Sequence, residues 1–402
     1  MIERYRSTVN DSRPTGDESG RPRDGETMTD VAGRSSISEH EGLETALSKP
    51  CPIEAVDLKV LRVPYKKPFG ISSGTSDDIE SIVVTLRTSE GVGYGESVAM
   101  TAYTGQTLEG LADLLTNVLI PAVKGIDARD VVALHSAMNT AVRGQRVAKA
   151  AIDIAAHDFI GRVAGVPTCV FLGSTPKTVR SAFVAGLGDL EQIVEECQKA
   201  VARGYRHIKV KGGVDWRRDV LLVEMLRENI DSHTELCIDL NEGYDRASAM
   251  DALPRMRSAG LDLIEQPLPA WDLAGIAELR SRVNVPIMLD ESVQSVHQGF
   301  AALAARAADV INIKILKLGG LYPARQVIAM AQAAGVPVKL GSMPELGIAS
   351  RAAVHLACAS PNATVPGDYV GPVMVENDPF AGEMFPDDGT VIAADQPGLG
   401  DW

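Results

Sequence analysis

The sequence predicts an α/β protein in which a closed parallel barrel follows a separate α+β region. From Ala182 onward, short β-branched apolar runs alternate with amphipathic, helix-like segments. Strands that alternate with helices form parallel sheets, and seven or eight such units at near-constant spacing favour a closed barrel over an open sheet. No GxGxxG motif opens a helix after the first strand, which argues against a dinucleotide-binding fold.

The apolar runs define the strands of the predicted barrel. We expect strands over eight runs, of which the last is the weakest: Ser181–Leu187, His207–Lys211, Leu236–Leu240, Leu261–Glu265, Val285–Asp290, Val310–Leu316, Val336–Leu340 and Ala363–Tyr369. Helices are expected between them, for example over Leu190–Arg203 and Leu321–Ala334. Gly204 and Gly335 follow these two segments at positions that favour helix C-caps.

The rest of the chain is divided by its composition. Residues 1–50 are polar with few large apolar residues, so we expect a disordered tail, with Met28 as a candidate start. Residues 51–175 indicate an α+β domain, residues 176–370 the barrel, and residues 371–402 a Gly/Pro-rich segment that packs back on the α+β domain. Within that domain we expect strands over Val56–Val63, Ile79–Arg87 and Val92–Glu96, and helices over Leu108–Leu119, Val131–Ala141 and Val147–Ala164.

Charge and cysteine content exclude several classes of protein. The formal net charge is −14, whereas a nucleic-acid-binding protein normally shows a basic face. No apolar stretch approaches the roughly 18 residues that a membrane span needs. The five cysteines form no CxxC pair, which fits reduced cysteines in a cytoplasmic protein. We therefore predict a cytoplasmic protein that binds neither nucleic acid nor membranes.

Charged residues lie at the predicted carboxyl ends of successive strands, where barrels carry their chemistry. Lys211, Asp239, Glu265, Asp290 and Lys314 belong to five consecutive runs, at steps of 28, 26, 25 and 24 residues. Each step is about one βα unit, so the five residues can converge on one mouth of the barrel. A single acid at a strand end is most often a solvated charge or a helix N-cap, and only the regular spacing of all five argues against that interpretation.

Three converging carboxylates, Asp239, Glu265 and Asp290, would repel one another without a cation. A hard divalent ion resolves this repulsion, and oxygen-only ligands select Mg²⁺, with Mn²⁺ as a possible substitute. Such an ion stabilises the second negative charge that builds when an α-proton leaves a substrate carboxylate. The expected partner is therefore a small-molecule carboxylate.

Three lysines are candidates for proton transfer. Lys209 and Lys211 are two apart on a strand and share a face, so each should lower the pKa of the other, and partial burial should lower both. Lys314 comes from a strand on the opposite side of the metal, which permits removal of a proton from one face of a carbon and return to the other. Lys317 is expected to face elsewhere and to be structural.

The segments KVK, IDLN, IEQP, LDES and NIKILKLGG resemble the enolase superfamily, in its muconate lactonizing enzyme subgroup. The resemblance covers about residues 53–375 and includes AKAAIDIAAHDFIGRVAGVP and GSMPELGIAS. It implies a modified TIM barrel, (β/α)7β, with an α+β capping domain, and a Mg²⁺ ion bound by the three carboxylates. It also implies that Lys211 and Lys314 are the acid/base pair, that Lys209 tunes Lys211, and that the protein forms a homo-oligomer.

Further candidates bear on the substrate. Five residues are expected to contact it or to support the site: Asn241, Glu291, Glu345, Asp368 and Lys339. For Lys339 two alternatives stay open: it faces the mouth and binds a second carboxylate, or it reaches solvent.

The resemblance gives two different indications of specificity. Dipeptide epimerases carry Asp-x-Asp where this chain has Asp368 followed by Val370, and Gly371-Pro372 instead resembles muconate cycloisomerases. Pro68-Phe69 in a predicted loop over Tyr65–Asp78, which is expected to close over the site, resembles the epimerases.

Several functions stay open on these grounds. The leading hypothesis is an isomerase that acts through an enolate, as a cycloisomerase, racemase or epimerase of an amino-acid derivative. A lyase would use the same site to eliminate water from a hydroxy acid or a hydroxyproline-type substrate. A metal-dependent hydrolase would need no pair of lysines, and a silent binding protein would have little reason to keep buried charges.

Overall fold

The computed structural model describes residues 49–71 and 74–402 of the chain. The predicted tail lies outside these residues except for its last two positions, and so does Met28, so both stay predictions. The described chain contains an antiparallel sheet with helices, a parallel barrel and a C-terminal segment. None of the described helices is both long and apolar enough to span a membrane.

An antiparallel sheet of three strands opens the described chain: β1 (Ala55–Ile71), β2 (Gly74–Thr88) and β3 (Gly91–Ala99). The loop predicted over Tyr65–Asp78 is instead the far end of the β1–β2 hairpin, with a register shift between Pro64 and Phe69. The prediction of a loop is wrong because an exposed hairpin end needs no apolar alternation, so its polar sequence gives little strand signal.

Helices follow this sheet in the chain: α1 (Thr101–Thr104), α2 (Leu108–Leu114), α3 (Ile120–Val123), α4 (Val131–Ala141), α5 (Arg146–Ala164) and α6 (Thr168–Phe171). Of these, α2 and α5 pack against β2 and β3. A π-helical turn over Leu115–Leu119 joins α2 to α3. Helix α5 lies directly against β3, where a Cβ on Gly93 or Gly95 would fall 2.1 or 1.9 Å from a helix carbonyl oxygen. Gly93 and Gly95 are therefore required for this close approach of two backbones.

The barrel is a parallel sheet whose strands within the described residues run in the order β5 to β12. A short strand outside this sheet, β4 (Thr178–Arg180), precedes the barrel. The barrel strands are β5 (Phe183–Ala185), β6 (His207–Lys211), β7 (Glu235–Asp239), β8 (Leu263–Glu265), β9 (Ile287–Leu289), β10 (Val310–Ile313), β11 (Val338–Leu340) and β12 (Ala363–Val365). The crossovers carry α7 (Leu190–Arg203), α8 (Trp216–Asn229), α9 (Arg246–Ser258), α10 (Leu273–Arg282), α11 (Val296–Ala304), α12 (Ile315–Leu318) with α13 (Leu321–Ala333), and α14 (Gly347–Cys358). This arrangement confirms the predicted (β/α)7β fold.

Backbone hydrogen bonds close the barrel between its first and last strands. The Ala182 N–H donates to the Gly367 carbonyl at 2.7 Å, and the Gly367 N–H donates to the Arg180 carbonyl at 3.0 Å. The barrel strands lie within the predicted runs or start one residue earlier, although most are shorter. Strand β10 ends at Ile313, so Lys314 lies at the start of the helical turn α12 rather than inside a strand.

Two buried carboxylates join the antiparallel region to the barrel. Glu96 of β3 accepts hydrogen bonds of 2.7 and 2.9 Å from two backbone N–H groups at the beginning of α14. Asp153 of α5 accepts from the N–H groups of Leu321 and Tyr322 at the beginning of α13, and lies 2.7 Å from His135 Nε2. Both carboxylates therefore satisfy backbone donors that helix beginnings leave unpaired.

The C-terminal segment contains α15 (Gly371–Met374), a 3₁₀ turn (Gly382–Met384) and β13 (Thr390–Ile392). Strand β13 pairs antiparallel with β4, before the barrel. Further along, the Leu399 N–H donates to Asp158 Oδ1 of α5 at 2.7 Å. The segment thus contacts elements on both sides of the predicted boundary at residue 175.

Replacing Asp153 by Asn should lower the free energy of unfolding by about 3 kcal/mol, because removing one member of a buried charged cluster leaves the other groups uncompensated. Urea unfolding followed by circular dichroism measures this loss. Asp57→Asn, at the exposed ion pair with Arg87, is the matched control and should leave the free energy nearly unchanged. An equal loss in the two variants would contradict the role of Asp153.

Candidate active site

The carboxyl ends of neighbouring strands bring the predicted residues together. Lys211, Asp239 and Glu265 occupy the last positions of β6, β7 and β8 and are paired in register across the sheet. Asp290 follows directly after β9, and Lys314 follows directly after β10. All five side chains are buried. The register of the barrel therefore turns the regular spacing in the sequence into neighbouring side chains.

Lys209 and Lys211 hold the first two carboxylates. Lys209 Nζ lies 3.0 Å from Asp239 Oδ2 and 2.6 Å from Glu265 Oε2. Lys211 Nζ donates to the same Asp239 oxygen at 2.7 Å and to Asn241 Oδ1 at 3.0 Å. The Asp239 carboxylate is thus shared by the ammonium groups of Lys209 and Lys211, and Lys209 also contacts Glu265.

Asp290 is contacted by three donors from other elements. Lys314 Nζ lies 2.7 Å from its Oδ2, and Lys317 Nζ contacts its Oδ1 and donates to its carbonyl oxygen at 2.7 Å. The Tyr103 hydroxyl, from α1, donates to Oδ1 at 3.1 Å. The prediction that Lys317 faces elsewhere is wrong, because residues three apart in a helical turn share a side, and α12 therefore points both lysines at Asp290.

Three residues of the site carry no prediction from the sequence: Tyr103, Asn312 and Gln266. Asn312 Nδ2 donates to Glu265 Oε1 at 2.8 Å, and Gln266 Oε1 accepts from the backbone N–H of Asp290 at 3.0 Å. Asn312 stands two residues before Lys314 in an apolar run, so the alternation of a strand was a usable signal. Tyr103 and Gln266 have no such local signal.

Burial and neighbouring charges shift the lysine pKa values in opposite directions. Burial lowers the pKa of Lys209, but carboxylates, first among them Asp239, outweigh it and raise the pKa well above its ordinary value. Burial likewise lowers the pKa of Lys314, and the charge of Asp290 outweighs it, so this pKa is also raised. The expectation of a lowered pKa for Lys209 is therefore wrong, because the attraction of nearby carboxylates exceeds the effect of burial.

The predicted supporting residues surround this network. Glu291 Oε1 accepts from Asn241 Nδ2 at 2.9 Å, and burial, followed by the charge of Asp290, raises the pKa of Glu291 to about 8. Glu345 Oε2 accepts from the Met343 N–H at 2.6 Å, and burial raises the pKa of Glu345 to about 7. Both acids are thus held by the protein next to the charged cluster.

Lys339 and Asp368 form a buried ion pair. Lys339 is 0% exposed, and its Nζ lies 2.6 Å from Asp368 Oδ1. The alternative of a solvent-exposed Lys339 is wrong, because Asp368, which follows the adjacent strand β12, offers a buried partner. Asp368 Oδ2 lies 3.1 Å from Lys209 Nζ, so the pair is continuous with the rest of the network.

A small cavity lies beside the lysines. Lys209, Lys211 and Lys314 line it together, and its volume is about 30 Å³, enough for roughly two water molecules. Phe69 of the β1–β2 hairpin also lines it, and the same side chain lines a neighbouring cavity of about 660 Å³. A substrate the size of an amino acid therefore needs a wall residue such as Phe69 to move.

The donor set at the barrel mouth fits a hard divalent cation. Asp239, Glu265 and Asp290 supply only oxygen ligands, the type that Mg²⁺ prefers. Across residues 49–71 and 74–402, no three His, Cys, Asp or Glu side chains already form a cluster that could hold a metal ion. The ammonium group of Lys209 instead lies between Asp239 and Glu265, and its position indicates that a cation is favoured there.

Comparisons with known proteins agree with this geometry. Residues 55–173 match the family model of the mandelate racemase / muconate lactonizing enzyme N-terminal domain, and residues 192–401 match the enolase C-terminal domain-like model. The chain is 33% identical to the N-succinyl-L-Arg/Lys racemase of Bacillus cereus, covering 87% of this chain and 94% of that protein. It is also 33% identical to muconate cycloisomerase 1 of Rhodococcus opacus, covering 87% and 95%.

A solved structure extends these similarities to the fold. The dipeptide epimerase from Enterococcus faecalis, complexed with Mg and the dipeptide L-Leu-L-Tyr, matches with a TM-score of 0.84 at 29% identity, covering 87% of this chain and 99% of that chain. Two family models, two relatives at 33% identity and this shared fold show that the chain belongs to the mandelate racemase / muconate lactonizing enzyme family of the enolase superfamily.

Proposed function

We propose that this protein is a Mg²⁺-dependent isomerase that removes the proton α to a carboxylate and then returns a proton to the enolate. Lys211 and Lys314 are the acid/base pair, and the three carboxylates of the mouth hold the cation. One observation carries the proposal: Lys211 and Lys314 line the same cavity, while each contacts a different one of these carboxylates. A proton carrier is thus available from two sides of one space.

Mg²⁺, when bound, supplies the positive charge that stabilises the second negative charge developing on the substrate carboxylate and lowers the pKa of nearby lysines. Mn²⁺ is expected to substitute, because carboxylate and water ligands suit both ions. The Mg in the dipeptide epimerase structure supports this choice of cation.

The chain's own residues position and protect the reacting carbon. Lys211 approaches from β6 and Lys314 from the end of β10, so each Nζ addresses a different face of a carbon held between them. Lys209 lies between Asp239 and Glu265 and keeps both carboxylates in place. The Tyr103 ring centroid lies 4.8 Å from Lys314 Nζ, and this cover from the antiparallel region excludes water from the lysine.

The relatives support an isomerase rather than the other classes. Their names are those of a racemase, an epimerase and a cycloisomerase, and no contact within the described residues favours a lyase or a hydrolase. The natural substrate is proposed only as a small carboxylic acid. Homo-oligomer formation and a cytoplasmic location stay predictions from the sequence.

Replacing Lys211 or Lys314 by Ala should slow racemisation of a chiral acid about 10²–10⁴-fold, because that is the usual contribution of general acid–base catalysis. Each variant should still exchange the α-proton of one enantiomer with D₂O, and the two variants should act on opposite enantiomers, since each retains one base. Proton NMR in D₂O with MgCl₂, across a set of chiral carboxylic acids, measures both effects.

The control for this experiment is Lys199→Ala, at an exposed ion pair with Glu195, which should keep the full rate. Full exchange of both enantiomers by Lys314→Ala would overturn the two-lysine mechanism. Release of water from a hydroxy acid, with no exchange on other acids, would identify a lyase instead.

Replacing Asn312 by Ala should weaken Mg²⁺ binding about 10–100-fold, because residues that orient a metal ligand contribute to metal affinity by that amount. Calorimetric titration of the metal-stripped protein with MgCl₂ measures this change. Asn117→Ala, at an exposed hydrogen bond to Asp113, is the control and should bind Mg²⁺ as the unmodified protein does. Unchanged affinity in Asn312→Ala would contradict the assignment of Glu265 as a ligand held by Asn312.

A further inference from the structure

A buried chain of charges runs from the catalytic cavity into the barrel wall. Asp368 stands between two lysines: its Oδ1 lies 2.6 Å from Lys339 Nζ, and its Oδ2 lies 3.1 Å from Lys209 Nζ. Asp368 is 3% exposed and Lys339 is 0% exposed. Both oxygens of this carboxylate are therefore paired with cations of the protein.

The charges that line the cavity favour anions. In the described part of the chain, the charged residues that line it are Lys209, Lys211, Lys314 and Asp368, and the other lining side chains are uncharged. Among these lining residues Asp368 is the carboxylate, and both of its oxygens are already paired with lysines. The three carboxylates of the mouth are held by lysines and, under the proposed function, by Mg²⁺. A substrate cation would therefore find no unpaired carboxylate among the described residues that line this cavity, and it would lie beside three ammonium groups.

The stability of the barrel does not explain a lysine at position 339. It lies in β11 within the apolar run VPVKLGS, where an apolar side chain would need no partner. Replacing a buried ion pair by apolar residues is often neutral or stabilising. A charged residue in an apolar strand, where it brings no gain in stability, indicates a functional position.

We propose that Lys339 is a specificity-determining residue that, by holding Asp368 within the charge chain, restricts the site to acids without a cationic nitrogen, such as N-acylated amino acids. This inference rests on the proposed function and names its substrate class. Without Lys339, Asp368 Oδ1 would be a buried acceptor beside the cavity, and an unpaired buried carboxylate gains most from a cationic partner. A substrate ammonium group would then be the natural partner.

Matched pairs of acids test this inference. An N-propionyl amino acid and the L-alanyl dipeptide of the same amino acid differ only by an ammonium group in place of a hydrogen atom. Deuterium exchange at the α-carbon with MgCl₂, over several side chains, should give kcat/KM at least about tenfold higher for the N-propionyl member, and calorimetry should show the same order of affinity. Equal or faster exchange of the alanyl members would overturn the inference and leave the isomerase intact. No exchange on any acid would overturn the proposed function itself.

Two variants separate specificity from stability. Lys339→Met should reduce the preference for the N-propionyl member at least about tenfold, because Asp368 becomes available to the ammonium group. Lys149→Met removes another buried lysine, one bonded to Asn139 Oδ1 in the antiparallel region, and should leave this preference unchanged. If Lys339 had only a structural role, Lys339→Met would lower the exchange rates of the N-propionyl and the alanyl member equally. An unchanged preference in the folded variant would therefore overturn the assignment of Lys339. If that variant does not fold, the preference of the unmodified protein decides.

Discussion

Buried carboxylates and buried ammonium groups hold one another at the mouth of the barrel, and the surrounding architecture keeps them in contact. An ionised group left alone in a protein interior costs several kcal/mol, so Asp239, Glu265 and Asp290 must each stay beside a cation. This requirement fixes the register of β6, β7 and β8. A slip of one residue would turn side chains such as Lys211 and Asp239 away from the mouth, because alternate residues of a strand face opposite sides.

The antiparallel region is subject to the same constraint. Tyr103 donates to Asp290 from α1, and Phe69 of the hairpin lines the cavity beside the lysines. Glu96 and Asp153 bind this region to the beginnings of α14 and α13, the helices that follow β11 and β10. The region that covers the site is thus connected, through buried hydrogen bonds, to the helices that follow Lys314 and Lys339 in the chain. Water exclusion and the positions of the lysines therefore depend on one set of contacts.

Features that repeat along the chain were predictable, and features that depend on packing were not. Similar steps between strand ends placed Lys211, Asp239 and Glu265 correctly, because adjacent parallel strands set equivalent residues side by side. The end of β10 could not be located in INIKILK, since an apolar run of that length suits a strand and a helix equally, and the orientation of Lys317 was therefore wrong. Tyr103 contacts a residue 187 positions away, and nothing local in the sequence indicates such a contact.

Lys339 represents a different kind of sequence signal, a lysine in a strand of apolar residues. In IKVK the alternation of the strand puts two lysines on one face, and this pairing was enough to indicate a site. A single lysine, as in VKL, is compatible with either face until a partner is known. The partner is Asp368, which follows β12, the strand that pairs with β11. Lys339 is paired in register with Val365, and Asp368 lies three residues beyond it, past the end of β12. The contact therefore depends on how the chain turns after the strand, and strand alternation alone does not indicate it.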